Sequence, residues 1–162
     1  ALFTANINEN WAFTNDTIYD DDTNDTNIST TSLKYRNDDS RLINFTHRFV
    51  ENRSEQAEIS FILPVSSNDW SVIGHYNYDY ENDRELEQLL GFEYHSCCYR
   101  LRLAYKKFID DDQLSNVVDN IDYDESAIIE FQFFGLGGTG KQFDKLLDDA
   151  IDGYEQWQAT YR

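Results

Sequence analysis

Basic side chains, proline and methionine are scarce in this chain, and each scarcity narrows what the chain can be. The 162 residues include 13 basic and 31 acidic side chains, a net charge of −18, with one Pro and no Met. Nucleic-acid binding needs clustered Lys and Arg, so this balance excludes a nucleic-acid partner. No stretch approaches the roughly 18 apolar residues that a membrane-spanning helix requires.

Aromatic residues, in contrast, are abundant: 11 Tyr, 11 Phe and 3 Trp make up 15% of the chain. Disordered acidic segments are poor in aromatics, so we expect this chain to fold. The same residue types favour strands over helices. The chain lacks an initiator Met and a signal peptide and opens inside an apparent strand, Leu2 to Phe13, so we expect it to be part of a larger protein.

Apolar and polar residues alternate along most of the chain, which is the pattern of half-buried strands. From Tyr99 onward, for example, Leu101 and Leu103 alternate with Arg100 and Arg102. Comparable stretches begin near Ile43, Phe61, Trp70, Leu90 and Ala127. The pattern predicts about eight antiparallel, up-and-down strands, each near the 9–11 residues that cross a membrane at a tilt.

The predicted connections alternate between long and short. The links at 14–27 and 109–124 are long and rich in Asp and Asn, whereas those at 37–40 and 66–69 are short turns. Long loops at one end and tight turns at the other are typical of an outer-membrane barrel. A soluble sheet would alternate too, so a secreted acidic β-domain that binds carbohydrate or calcium is the alternative.

The pattern changes after the last predicted strand, about Ser126–Gly135. Glycines then break the sheet. Apolar residues then recur at the spacing of a helix, at Phe143, Leu146, Leu147 and Ile151. We therefore predict one short amphipathic helix at 141–151, and we divide the chain into strands at 1–136 and a C-terminal tail at 137–162.

The sequence contains no pattern that predicts catalysis or a bound cofactor. His47, His75 and His95 lie on separate predicted strands without metal-ligand spacing. The acidic loops around Asp20 and Asp110 lack the Gly and final Glu of an EF-hand, although weak divalent-cation binding there stays open. We expect a protein that is not an enzyme; His75 and the many serines leave an outer-membrane enzyme barrel as a third hypothesis.

Cys97 and Cys98 are the only cysteines and are adjacent. Neighbouring strand positions point to opposite faces, and the geometry of disulfides disfavours a bond between neighbours. In an oxidising compartment each cysteine would pair outside this chain, and two unrelated free thiols are the alternative.

The cysteine pair belongs to a specific combination of motifs. It comprises Trp70 to Tyr78, Leu86-Glu87, Gly91 to Tyr94, Ser96 to Tyr99, Arg102, Phe131 to Phe133, Gly135 to Gly137, Leu146-Leu147, Ile151 and Gly153-Tyr154. These residues resemble the C-terminal region of the LptD family of lipopolysaccharide-assembly proteins. The resemblance covers residues 57–154 well and the first fifty by pattern alone. Asp152 departs from it, since the family often has Pro there.

The resemblance implies the C-terminal part of a large barrel in the outer membrane of a Gram-negative bacterium. It implies an LptE-like lipoprotein plug inside the barrel, and an LptA-like periplasmic bridge that delivers lipopolysaccharide through an N-terminal domain outside this chain. Lipopolysaccharide would then enter the outer leaflet of the lipid bilayer through a lateral gate. Cys97 and Cys98 would bond to cysteines near that N-terminal domain.

The resemblance also assigns roles to individual strand residues. The last strand would be one side of the gate, with Ile129, Phe131, Phe133, Gly135 and Gly137 along it. Asn77, Glu130 and Gln132 would face the lumen. Strand parity would put the turn that carries the cysteines on the periplasmic side, with the C-terminus, and the Asp-rich loops at the cell surface.

Overall fold

Nine antiparallel strands form one sheet in sequence order in the computed structural model, which describes residues 1–20, 25–37, 40–65, 69–109, 123–133 and 141–160. The strands are β1 (Leu2–Asn6), β2 (Trp11–Asp20), β3 (Asp25–Arg36), β4 (Leu42–Val50), β5 (Ser54–Val65), β6 (Trp70–Asp79), β7 (Arg84–His95), β8 (Tyr99–Ile109) and β9 (Tyr123–Phe133). Two helices follow, α1 (Lys141–Ala150) and α2 (Tyr154–Thr160). The predicted all-β, up-and-down architecture with a C-terminal helix is confirmed.

The single strand predicted from Leu2 to Phe13 is wrong. The side-chain oxygen of Asn8 accepts hydrogen bonds from the backbone N–H groups of Asn10 and Trp11, each at 2.9 Å. This local turn ends β1 at Asn6 and starts β2 at Trp11. The described sheet therefore has nine strands, where the sequence predicted about eight.

The long link predicted at 14–27 is also mostly strand. β2 and β3 pair from Trp11 and Tyr35 up to Asp20 and Asp25. Asn15 donates to the Thr31 hydroxyl at 2.9 Å across the pair. Polar contacts between the strands stabilise this part of the sheet, whereas apolar contacts stabilise most of the rest. Its polar composition therefore suggests a loop although it forms strands.

The predicted helix is confirmed at its predicted position, and the structure contains a second helix after it. α1 covers Lys141–Ala150, close to the predicted 141–151, but α2 occupies the segment that follows. Gly153 separates the helices with a φ of 87°, a left-handed conformation that glycine adopts without a steric penalty. The predicted boundary between residues 136 and 137 lies outside the described residues.

The sheet has two chemically different faces. The register aligns Leu42, Ile62, Ile73, Gly91 and Ala104 on one face, together with polar residues such as Asn44, Ser60, His75, Glu93 and Arg102. We call this the polar face. The opposite, apolar face exposes Phe45, Ile59, Val65, Trp70, Tyr76, Leu90, Phe92, Leu101, Leu103 and Tyr105. The alternation in the sequence therefore separates a polar from an apolar surface over most of the sheet.

Aromatic pairs concentrate at one end of the apolar face. The ring centroids lie 4.8 Å apart in Trp11 and Tyr35 and 4.7 Å apart in Trp70 and Tyr94. All four residues stand at strand ends. Such rings, apolar in body and polar at one tip, suit the boundary between hydrocarbon and water.

Both helices pack on the polar face. Phe143, Leu147, Ala150 and Ile151 of the α1 segment and Tyr154 and Trp157 of α2 are buried against Leu42, Ile62, Ile73, Leu89 and Ala104. The hydrophobic core thus lies between the helices and the polar face of the sheet. No helix among the described residues is long and apolar enough to cross a membrane.

Gly74 makes room for a neighbouring aromatic ring on the apolar face. A Cβ atom added at Gly74 would collide with the ring of Phe61, which is its partner on β5. The Phe61 ring therefore occupies the space that a side chain at position 74 would fill.

Substituting Gly74→Ala is expected to destabilise the protein by about 1–3 kcal/mol, because the Phe61 ring must leave its position over the glycine. The urea midpoint of unfolding of the full-length protein in detergent measures this. Phe61→Leu in the Gly74→Ala background should recover part of the loss, since it removes the ring atoms that the new methyl meets. Equal midpoints for wild type and Gly74→Ala would contradict this account.

Candidate functional site: the polar face and the terminal strand

Arg102 lies on the polar face, on the strand next to β9, and is fully buried. Its guanidinium donates to Asp144 Oδ1 at 2.6 Å, to the Tyr154 hydroxyl at 3.2 Å and to Glu130 Oε1 at 3.1 Å. Its Nε lies 3.8 Å from Glu93 Oε2. One side chain of β8 thereby connects β7, β9, α1 and α2.

Burial explains why so many groups converge there. Removing an ion from water costs several kcal/mol unless opposite charges and hydrogen bonds compensate. The planar guanidinium presents five donors in a fixed fork, which suits several carboxylates at once. Its central carbon also lies 4.8 Å from the centroid of the Phe143 ring. The cluster therefore needs all its members in place.

Asp144 fastens α1 at this end through more than the arginine. Its Oδ1 also accepts hydrogen bonds from Gln158 Nε2 at 2.7 Å and from the Tyr154 hydroxyl at 3.3 Å. The two helices are thus held to each other and to β8 at the same carboxylate.

The other end of the helix pair is fastened to β3 and β4. Asp152 forms an ion pair with Lys34, and its backbone carbonyl accepts a hydrogen bond from Asn44 at 2.9 Å. Trp157 Nε1 donates to the Ser40 carbonyl at 2.7 Å. The helices therefore lie across the strands from β8 to β3, and we call them the brace. Asp152, the departure from the family pattern, is one of its contacts.

A second polar cluster lies on the same face further along the strands. His75 is buried, with Nδ1 3.7 Å from Glu58 and Nε2 3.7 Å from Glu87. Lys106 Nζ lies 3.0 Å from Glu87. No group of His, Cys, Asp and Glu among the described residues has the geometry of a metal site.

Burial raises the pKa of the Tyr154 phenol above its usual range, and it outweighs the nearby Arg102 guanidinium, which favours the phenolate. The hydroxyl therefore stays protonated at neutral pH. It can donate to Asp144 while it accepts from Arg102.

The predicted gate strand is the last strand of the sheet. β9 pairs with β8 and, among the described residues, with no other strand. Ile129, Phe131 and Phe133 point to the apolar face and are 73%, 50% and 52% exposed. Gly135 and Gly137 lie outside the described residues, and the gate role of this strand stays a prediction.

The residues predicted to face the lumen all lie on the polar face. Glu130 binds Arg102, and Gln132 is the register partner of Arg100. Asn77 lies apart from them, opposite Glu58 on β5. The side-chain oxygens of Asn77 and Gln132 are buried and accept no hydrogen bond from the part of the chain that is described.

Cys97 and Cys98 are exposed in the turn between β7 and β8, and the structure joins them to each other. Their predicted pairing with upstream cysteines stays a prediction. Because consecutive strands alternate in direction, this turn lies at the same end of the sheet as Phe133, and Asp20 and Ile109 lie at the opposite end. Most of the acidic loops, 21–24 and 110–122, lies outside the described residues, so divalent-cation binding there also stays a prediction.

The sequence did not predict the Arg102 cluster. Its one signal is the alternation of Arg100 and Arg102 with apolar residues, which puts two cations on the polar face. The partners of Arg102 depend on strand register and on a helix that returns over the sheet, and neither is readable from local pattern.

A meandering antiparallel sheet with one exposed apolar face and one polar face is the arrangement found in a segment of a membrane-spanning β-barrel, and it points to that class of protein. A family model described as "LptD: LPS transport system D" matches residues 1–72. This is the part of the chain that the residue-by-residue resemblance covers mainly by pattern.

Curated relatives extend the match over most of the chain. The "LPS-assembly protein LptD" of Saccharophagus degradans is 33% identical over 156 residues, 86% of this chain and 18% of the relative. Its namesake in Nitrosococcus oceani is 31% identical over 94% of this chain and 20% of the relative. That of Alcanivorax borkumensis is 41% identical over 62% of this chain and 13% of the relative.

These matches identify the family: the chain belongs to the LptD family and is a segment of an outer-membrane β-barrel protein of a Gram-negative bacterium. It spans about a fifth of the length of the first two relatives.

Tyr154 makes docking of the brace sensitive to alkaline pH. Its folded-state pKa is raised, so its contribution is complete below the unfolded value of about 10 and is lost as the pH rises through the folded value. We expect the emission of Trp157, corrected with a Trp157→Phe variant, to report undocking in that range in the full-length protein. Tyr154→Phe should remove the dependence, and an unchanged alkaline transition in this variant would rule out Tyr154 as its source.

Proposed function

We propose that this chain is the C-terminal barrel segment of a translocon that inserts lipopolysaccharide into the outer leaflet of the outer membrane. In this proposal the apolar face contacts lipid and the polar face lines the lumen. Lipopolysaccharide leaves the lumen laterally, between β9 and the first strand of the complete barrel. The work is transport and not chemical catalysis.

The observation that carries the proposal is the position and chemistry of β9. Like β1 at the other edge of the sheet, it has one strand partner among the described residues, so its second edge can meet another strand of the complete barrel. Its two faces alternate between exposed Ile129 and Phe131 and polar-face Glu130 and Gln132. An amphiphile with a sugar head and acyl chains requires this combination, because its head needs a polar lining while its chains need an apolar exit.

We also propose that few ladder hydrogen bonds join the two strands of the seam. Each ladder hydrogen bond contributes only about 0.5–1.5 kcal/mol net, so a seam with few of them can open. A covalently continuous pair such as β7 and β8, joined by a short turn, has no comparable freedom.

The partners belong to the proposal as well. We propose a lipoprotein plug of the LptE type against the polar face, and an LptA-like bridge that supplies lipopolysaccharide through the N-terminal domain. The polar face beyond the brace, with Asn77, Glu58 and Glu87, offers hydrogen-bonding groups to such a plug. No cofactor is part of the mechanism.

Locking the seam should stop transport without unfolding the barrel. A cysteine at Ile129, cross-linked to a cysteine on the first strand of the full-length protein, is expected to abolish delivery of lipopolysaccharide to the cell surface. Surface labelling of newly made lipopolysaccharide measures this, and retained heat-modifiable migration shows that the barrel stays folded.

The matched control is a cysteine pair at Phe92 and Leu103, which are register partners on the continuous pair β7 and β8. This cross-link should leave delivery unchanged, since those strands need not separate. Undiminished delivery in the fully cross-linked Ile129 variant would refute the gate.

Disulfide mapping tests the proposed link to the N-terminal domain. In full-length protein from native outer membranes, non-reducing digestion and mass spectrometry should find Cys97 and Cys98 bonded to cysteines far upstream. A bond between the two neighbours in the mature protein, or free thiols, would contradict that link and leave a barrel without the predicted covalent connection.

A further inference from the structure

The guanidinium of Arg102 is shared between the brace and the terminal strand. One nitrogen, Nη1, donates to Asp144 of α1 and the other, Nη2, donates to Glu130 of β9. Arg102 itself belongs to β8 and is fully buried. Seating of α1 and seating of β9 therefore use the same rigid, planar group.

The contact between the brace and β9 is not limited to this charge. Ile128, two positions before Glu130 and on the same face of β9, packs against the core cluster that includes Phe143 and Leu147. β9 thus meets this cluster through Ile128 and is connected to the brace through Glu130 and Arg102. On its strand side β9 pairs with β8 alone among the described residues.

The charges make the coupling strong. Glu130 is 13% exposed and Asp144 28% exposed at the side chain, so solvent screens neither fully. If Asp144 loses its charge, the guanidinium has one carboxylate fewer, and if the helices move away it also loses the Tyr154 hydroxyl, so that its remaining carboxylates are Glu93 and Glu130. Its position over β9 is then no longer fixed from the lumen side.

We infer that Arg102 is a positioning residue through which the brace sets the stability of β9. This inference rests on the proposed function for its meaning, since β9 is one side of the proposed gate. When the brace is docked, the terminal strand is held on β8. When it is undocked, the terminal strand loosens and the seam opens more readily.

Hydrogen exchange in the full-length protein, purified from outer membranes in detergent, tests the inference. In Asp144→Asn, the amides of Tyr123–Phe133 are expected to exchange about tenfold faster or more, the ratio that about 1.4 kcal/mol of local stability produces. Asp144→Glu, which keeps the charge, should restore most of the protection.

Asp152→Asn is the matched control, because Asp152 is the carboxylate at the other end of the brace and its partner is Lys34 on β3. It should leave β9 exchange at the wild-type level. Glu130→Gln weakens the link from the strand side because it removes the negative charge that Arg102 Nη2 binds, so β9 should exchange faster while α1 keeps its protection. A residue that only stabilised the helices would not produce this separation.

Equal β9 exchange in Asp144→Asn and Asp152→Asn would overturn the inference. Glu130→Gln keeps the side-chain volume and leaves the helices in place, so it provides the test even if Asp144→Asn does not fold. The exchange readout does not require transport. The two proposals can also fail separately. If β9 exchanges faster in Asp144→Asn but lipopolysaccharide is still exported when the seam is cross-linked, only the proposed function is refuted.

Discussion

A single buried guanidinium holds the sheet and the helices in one arrangement. Arg102 would be costly to bury alone, and it is tolerated because carboxylates from β7, β9 and α1 surround it. The dependence is mutual, since Asp144 and Glu130 would otherwise repel each other across the same space. The sheet therefore depends on the helices as well, because Asp144 of α1 is one of the carboxylates that balance the charge of Arg102. This explains how a polar surface can carry a hydrophobic core.

The two faces of the sheet differ in what must cover them. The apolar face needs no protein cover if lipid supplies it, and its Phe, Leu and Tyr side chains are accordingly exposed. The polar face carries buried ionisable groups that require protein partners. The brace supplies Asp144 to Arg102, whereas Arg100 lies near Glu93 of the sheet and His75 near Glu58 and Glu87. An acidic net charge of −18 is thus compatible with a well-packed polar face.

The alternation of apolar and polar residues made the two faces of the sheet predictable from the sequence, because successive residues of a strand point to opposite sides. The alternation near Tyr99 assigned Arg102 to the polar face correctly. It could not identify the partners of Arg102, since Tyr154 lies 52 positions away and contacts it only after α1 folds back. The prediction of the first strands was wrong for a local reason. The turn at Asn8 and the hydrogen bond between Asn15 and Thr31 are made by polar residues, so this part of the sheet lacks the apolar alternation that predicts a strand. The second helix was missed because its aromatic residues, Tyr154 and Trp157, suggest an irregular tail.

In the proposed translocon the terminal strand closes the barrel and also releases cargo, and these two roles place conflicting demands on it. More ladder bonds on its free side would stabilise closure but would raise the cost of opening by the same amount. Support from the polar face would avoid this conflict, because the contacts of Glu130 and Ile128 hold β9 without adding any strand pairing at the proposed seam. This support depends on a helix pair that is held by the hydrophobic core and by polar contacts at Lys34, Ser40 and Arg102. In the proposed translocon, a ligand or partner that bound only the docked brace would stabilise the seam without touching it.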